Sequence, residues 1–342
     1  MSNSNEHFQF TDERFADLQM LRYRLNGFED LTLSQQIYIY CLAKATLMGR
    51  DITFDQQGKY NLRIRKTLEA IYKHYDGDRT SDDFKALEVY LKRVWFSSGI
   101  YHHYGCEKFK PGFSEHFFYE AVSLMPETEL PLRRGETKED LLDELVPVIF
   151  DEEVLPKRVN QTDGVDLVAT SACNFYEDVT QDEVERFYAR LKDGEDLTPP
   201  SYGLNSKLMK RNGEIVEKTW KEEGMYGSAI KEIISWLLKA QKYTENEQQA
   251  HVIDLLIKYY RTGDLSDFDR YSIAWVKQQE GMVDFINGFI EVYGDPLGLK
   301  GTWEGLVEFK DMEATRRTQA ISQNAQWFED HSPVAPQFKQ AE

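Results

Sequence analysis

Two stretches of helix-spaced apolar residues, parted by a proline-punctuated middle, constrain this chain most. In the first, Thr11 opens a segment in which Phe15, Leu18, Leu21 and Leu25 recur at helical spacing up to Gly27, which predicts a helix. Thr32 and Gln35 have capping-box spacing ahead of Ile37, Ile39, Leu42 and Leu47, and Gly49 closes that helix. Leu62, Ile64, Leu68, Ile71 and Tyr72 predict a third helix ending near Gly77. Ser81 caps a fourth, with Phe84, Leu87, Leu91, Val94 and Trp95 inward. The second stretch predicts helices over 228–242, 247–261, 266–278 and 282–292, and a last long one from Trp303 to Asp330.

Between them, Pro111, Pro126, Pro131, Pro147 and Pro156 keep helices short. Residues 165–170 read as a strand and 181–191 as a short helix. Asn212-Gly213 is a strong hairpin-turn signal, so 204–218 reads as a hairpin. The expected class is α+β, mainly helical, with a small central sheet.

Charge narrows the ligands. The chain has 41 Lys and Arg against 59 Asp and Glu, a formal net charge of −18. That argues against a phosphate-backbone binder and favours neutral or cationic ligands. No apolar run reaches the length of a membrane span, and Met1 to His7 are polar, without a signal-peptide core. Cys41, Cys106 and Cys173 are an odd, widely spaced set and no disulfide framework; Cys41 reads as a small buried hydrophobe.

Most local motifs carry little chemistry. Asp76 to Ser81 resembles the start of a calcium loop, but Ser81 and Leu87 stand where Gly and a bidentate Glu are needed. His102, His103 and Cys106 cluster without the further ligands a metal needs, and their aromatic neighbours Tyr101, Tyr104 and Phe109 suggest a cleft wall. No His is followed by Glu, and neither a nucleophile elbow nor a phosphate loop is present. Residues 287–305 are the densest segment. Glu291 and Tyr293 precede a turn built on Asp295-Pro-Leu-Gly298, and Trp303-Glu304 follow. The two readings are a polar pocket whose carboxylates await a cation, and carboxylates that merely cap and salt-bridge the turn.

The run Gly288-Phe-Ile-Glu-Val-Tyr-Gly-Asp-Pro-Leu-Gly298, followed by Trp303-Glu-Gly305, resembles the substrate-binding signature of the dipeptidyl peptidase III family. Val94 to Gly105, Thr170 to Asn174, Ser201 to Asn205 and Asn324 to Asp330 are further matches, similar to its Bacteroides-type bacterial branch. The family is one of two-lobed zinc exopeptidases that remove dipeptides from peptide N-termini, usually in the cytoplasm; an exported form is compatible if a leader is removed. The resemblance implies a lower, substrate-recognition lobe over 1–310, built around a small β-barrel-like sheet, and the start of a connection to an upper catalytic lobe over 311–342. The zinc motif, His-Glu-x-x-Gly-His, is not in this sequence. The resemblance therefore implies that zinc belongs to the intact enzyme, that this chain supplies no metal ligand and is inactive alone, and that its partners are the catalytic lobe and a peptide with a free N-terminus. By position, Glu291 matches the carboxylate holding the substrate ammonium, and Glu304 a second acid of that pocket. Tyr293 matches the catalytic phenol near the scissile carbonyl, and Tyr104 an aromatic lining the same end of the cleft. A non-catalytic helical interaction module is the competing reading.

Overall fold

A computed structural model describes residues 8–192 and 194–340. The polar N-terminal heptad and the last two residues of the expected connection lie outside the described residues. The first element is a hairpin, β1 (Thr11–Phe15) and β2 (Leu18–Leu21), where the spacing predicts a helix. Of Phe15, Leu18, Leu21 and Leu25 only Phe15 is buried. A short helix is stabilised mainly by covering an apolar face, and here no such face is covered. Lys92 and Arg93 instead hold Glu13 and Asp17 at 2.5 and 2.7 Å.

Six helices follow: α1 (Leu33–Met48), α2 (Arg50–Gln56), α3 (Asn61–His74), α4 (Asp82–Ser97), α5 (Glu115–Leu124) and α6 (Lys138–Phe150). The expected caps form. The Gln35 N–H donates to Thr32 Oγ1 at 3.3 Å while the Thr32 N–H donates to the Gln35 amide at 2.8 Å, and the Phe84 N–H donates to Ser81 Oγ at 3.2 Å. Residues 165–170, expected as a strand, form a turn. Asp166 Oδ1 accepts the Val168 and Ala169 N–H groups at 3.0 and 2.9 Å and so curls the chain locally.

Next come β3 (Tyr176–Glu177), α7 (Gln181–Ala189), β4 (Ser206–Arg211) and β5 (Glu214–Thr219). The β4–β5 turn places Asn212 and Gly213 at φ 51° and 83°, the geometry their sequence predicts. Helices α8 (Gly227–Ala240), α9 (Glu247–Thr262) and α10 (Leu265–Lys277) agree with expectation.

The helix expected over 282–292 and the start of the one expected from Trp303 are instead the strands β6 (Val283–Glu291) and β7 (Thr302–Phe309), paired antiparallel. Val283, Phe285 and Phe289 are buried at a period of two, and Gly288 and Gly305 weaken any helix there. Beyond β7 the expected long helix is two short ones, α11 (Met312–Ser322) and α12 (Ala325–Asp330), neither with a buried residue.

The described strands form three separate sheets of two, three and two strands, so the expected barrel-like sheet is not closed. One core lies among α3–α6. A second joins α1 and α8–α10 to the β6–β7 hairpin, with Cys41 buried inside it. A third, smaller one sits under β3–β5 and α7.

The hairpin is tied to the helices by Gln56. Its buried side chain donates to the Gly301 carbonyl at 3.1 Å and accepts the Trp303 N–H at 2.8 Å. At the α1–α2 corner, a Cβ on Gly49 would fall 2.2 Å from the Trp303 ring, so only glycine allows that approach.

Candidate functional site

Register decides where the two glutamates point. Directly opposed residues of an antiparallel pair share a face, so Trp303 lies inward with Phe289 while Glu304, opposite Gly288, lies outward. Simple alternation from Phe289 would turn Glu291 inward. A one-residue bulge between Phe289 and Glu291 resets the parity, and Glu291 pairs with Thr302 on the face that carries Glu304. Gly288 contributes no side chain opposite Glu304, and a Cβ there would meet only Ile290, at 3.6 Å.

The two carboxylates therefore stand on one face of the hairpin, Glu291 exposed and Glu304 partly buried. Partial burial and the neighbouring Glu291 charge push the Glu304 carboxyl above its ordinary value, while the Glu291 N–H donates to it and pulls it back. A cation placed between them would relieve the repulsion.

Tyr293 follows the strand and is 73% exposed. Partial loss of water and the charges of Glu304 and Glu291 push its phenol above the usual tyrosine value, so it stays an O–H donor through neutral pH. The turn after it is held by Asp295, 1% exposed. Its carboxylate accepts from the Tyr176 hydroxyl at 2.8 Å and from the Leu297, Leu299 and Lys300 N–H groups at 3.2, 2.8 and 2.9 Å. Asp295 thus follows the capping reading of the segment; Glu291 and Glu304 do not, since neither forms an ion pair among the described residues.

Lys300, wholly buried, ends the turn. Its ammonium donates to Tyr188 Oη and, at 3.1 Å, to Ser206 Oγ; both hydroxyls donate onward to Glu217, at 2.6 and 2.5 Å. Burial lowers its pKa from 10.5 to about 8, against the pull of Glu217 and Asp295. The unfolded chain therefore holds this proton more tightly than the folded one between those values. Stability attributable to Lys300 rises with pH there, by roughly 2 kcal/mol between pH about 8 and 10. Urea midpoints across that range should show this rise in the native chain and a flatter profile in Lys300→Met.

A cavity of about 770 Å³ lies between Tyr293 and the loop after α4, lined also by Tyr104, Cys106, Arg158 and Thr162. Tyr104 is 88% exposed at its rim. The loop is shaped by His102, whose Nδ1 accepts the Tyr104 and Gly105 N–H groups at 3.2 and 3.0 Å. The structure thus brings Tyr104 to Tyr293 across one cavity and Glu291 to Glu304 on one hairpin face. Tyr293 links the two groups.

Sequence reasoning missed Arg158 and Gln56. Arg158 reaches the cavity because its N–H donates to the Cys106 carbonyl at 2.8 Å, 52 positions away, a pairing no local pattern announces.

The soft-donor loop does not fit a metal. His102 Nδ1 is occupied by N–H donors, and Cys106 Sγ lies 3.4 Å from the Arg158 guanidinium, a cation that opposes another. No group of three or more His, Cys, Asp or Glu side chains among the described residues is placed to hold a metal ion.

Comparison with known proteins shows what the chain is similar to. Residues 202–342, which include the β6–β7 hairpin and its turn, match Peptidase family M49. The relatives are of one kind: the chain is 21% identical to dipeptidyl peptidase 3 of Dictyostelium discoideum over 93% of its length and 48% of that protein's, and 22% identical to the Homo sapiens protein over 92% and 46%. The sequence resemblance to the dipeptidyl peptidase III family is thereby shown. The fold resembles DPP III from Caldithrix abyssi (TM-score 0.60, 16% identity, 93% of this chain and 47% of that one) and dipeptidyl-peptidase III from Corallococcus sp. strain EGB (TM-score 0.57, 14% identity, with the same coverage). The chain spans about half the length of the relatives it matches.

Proposed function

We propose that this chain is the substrate-recognition part of a dipeptidyl peptidase, which grips the free ammonium of a peptide with Glu291 and Glu304. The observation that carries this reading is the bulge that turns both carboxylates to one open face without a cationic partner of their own. An ammonium there donates charge-assisted hydrogen bonds to both carboxylates, and the chain's net charge of −18 favours its approach. Tyr293, next along the chain, then faces the peptide beyond its first residues and offers a phenolic O–H to a carbonyl as negative charge develops. Tyr104 closes the opposite rim.

The hydrolytic step needs groups that these residues do not supply. In the family that step is zinc chemistry; on this reading the chain's own part is binding and orientation. By itself the chain is expected to release no dipeptide. Residues 311–342 would begin the connection to the catalytic lobe; the exposure of Ile321, Trp327 and Phe328 on helices that bury nothing supports that reading.

The test is the pH dependence of peptide binding to this chain, followed by calorimetry. Affinity should rise with pH as Glu304 loses its proton above the ordinary glutamate range. It should fall again above about 8, where a peptide's α-amino group loses its charge. A flat profile, or equal binding of peptides with free and blocked amino groups, rejects the proposal.

A further inference from the structure

We infer that Arg158 forms a second, anionic-group subsite in the same cleft, which takes a carboxylate of the bound peptide on the Tyr104 side of Tyr293. This rests on the peptide-binding reading above and adds the specificity at the other end of the substrate.

Arg158 is 9% exposed yet lines the cavity with Tyr293. One terminal nitrogen donates to the His103 carbonyl at 3.1 Å and faces Cys106 Sγ. Its Nε is buried and has no acceptor, and no carboxylate among the described residues forms an ion pair with Arg158. A guanidinium so far removed from water ordinarily has a bidentate acid or a full set of acceptors. In a chain with an excess of acids, an unpaired one at a cavity wall is an unfilled demand for an anion.

The ligand class follows from the shape of the donor. The other terminal nitrogen, Nη1, makes no bond among the described residues and is not sealed off as Nε is, so its N–H groups can meet a carboxylate. Lys157 on the same wall adds a second positive charge. Glu291 and Glu304 meanwhile repel any acid from the ammonium end. A peptide lying across Tyr293 therefore meets negative charge at its head and positive charge further on, a polarity that orients it in one direction. The carboxylate can come from the peptide's C-terminus or from an acidic side chain after the first dipeptide.

Two peptide pairs separate these sources: Ala-Ala-Ala-Ala as free acid and as C-terminal amide, and Ala-Ala-Glu-Ala-amide beside Ala-Ala-Gln-Ala-amide. Binding to the full chain is measured by calorimetry. The acid member of at least one pair should bind about tenfold more tightly, the worth of one hydrogen bond between charged groups. Arg158→Met should abolish that preference. Because Arg158 also supports the His103 loop, a second variant guards against misfolding. Gln161→Glu, at an exposed position on the same wall, supplies a competing carboxylate and should abolish the preference with the melting temperature unchanged. Lys157→Met should keep it.

Equal binding within both pairs, while a free amino group is still required, overturns this inference alone. Loss of the preference in Lys157→Met but not in Gln161→Glu also overturns it. Binding that ignores the amino group overturns the peptide reading, and this inference with it.

Discussion

Acetylating the amino terminus of a peptide should lower its affinity for this chain by on the order of a hundredfold. Acetylation removes the charge that two carboxylates share and leaves Glu291 and Glu304 repelling each other across an uncharged amide. Two lost charge-assisted hydrogen bonds account for that magnitude. Glu291→Gln should reproduce most of the loss for a free peptide, and should also let the Glu304 carboxyl fall back toward its ordinary value. Gly288→Val tests the space rather than the charge. A valine side chain opposite Glu304 occupies the place of the ammonium, and the backbone there has room for a Cβ. Titration calorimetry on the native chain and these two variants checks the set. Full affinity in Gly288→Val would show that the peptide lies elsewhere.

The second large effect is structural. Asp295→Ala should destabilise the chain by about 3–5 kcal/mol, measured by urea unfolding. The loss is not that of one contact. Removing the carboxylate strands the Tyr176 hydroxyl and three backbone N–H groups in a buried turn. It also takes away one of the charges that help keep Lys300 protonated. Asp295→Asn keeps an acceptor and should cost distinctly less. The same cost for both variants would mean that charge, not acceptance, holds the turn.

The parts of this fold that were legible in the sequence are those whose cause is local. Thr32 with Gln35, Ser81, and Asn212 with Gly213 fix their own neighbourhoods through hydrogen bonds spanning a few residues, and they appear as expected. The β6–β7 hairpin was not legible. Ile286, Phe289 and Ile290 satisfy a helical spacing, and only burial of Val283, Phe285 and Phe289 against the helices selects the period of two. The β1–β2 segment fails for the converse reason: its helical pattern has nothing to pack on. Within the candidate site, the glutamates and tyrosines stand out as a motif, but which way each faces depends on a bulge that no motif reveals. Arg158 carries no signal in its own neighbourhood, because the loop that makes it important comes from far earlier in the chain.

The grip of Gln56 on the hairpin has a consequence in time. Its bonds to Gly301 and Trp303, and that of Thr53 to the Trp303 carbonyl, close loops of 245, 247 and 250 residues. At ribosomal speed the second partner emerges on the order of ten to fifty seconds after the first. Through that interval the helical half can assemble on its own core, while the slot beside Gly49 waits for its indole. The acidic face is thus a late arrival in biosynthesis, completed only after the helices beneath it have left the ribosome.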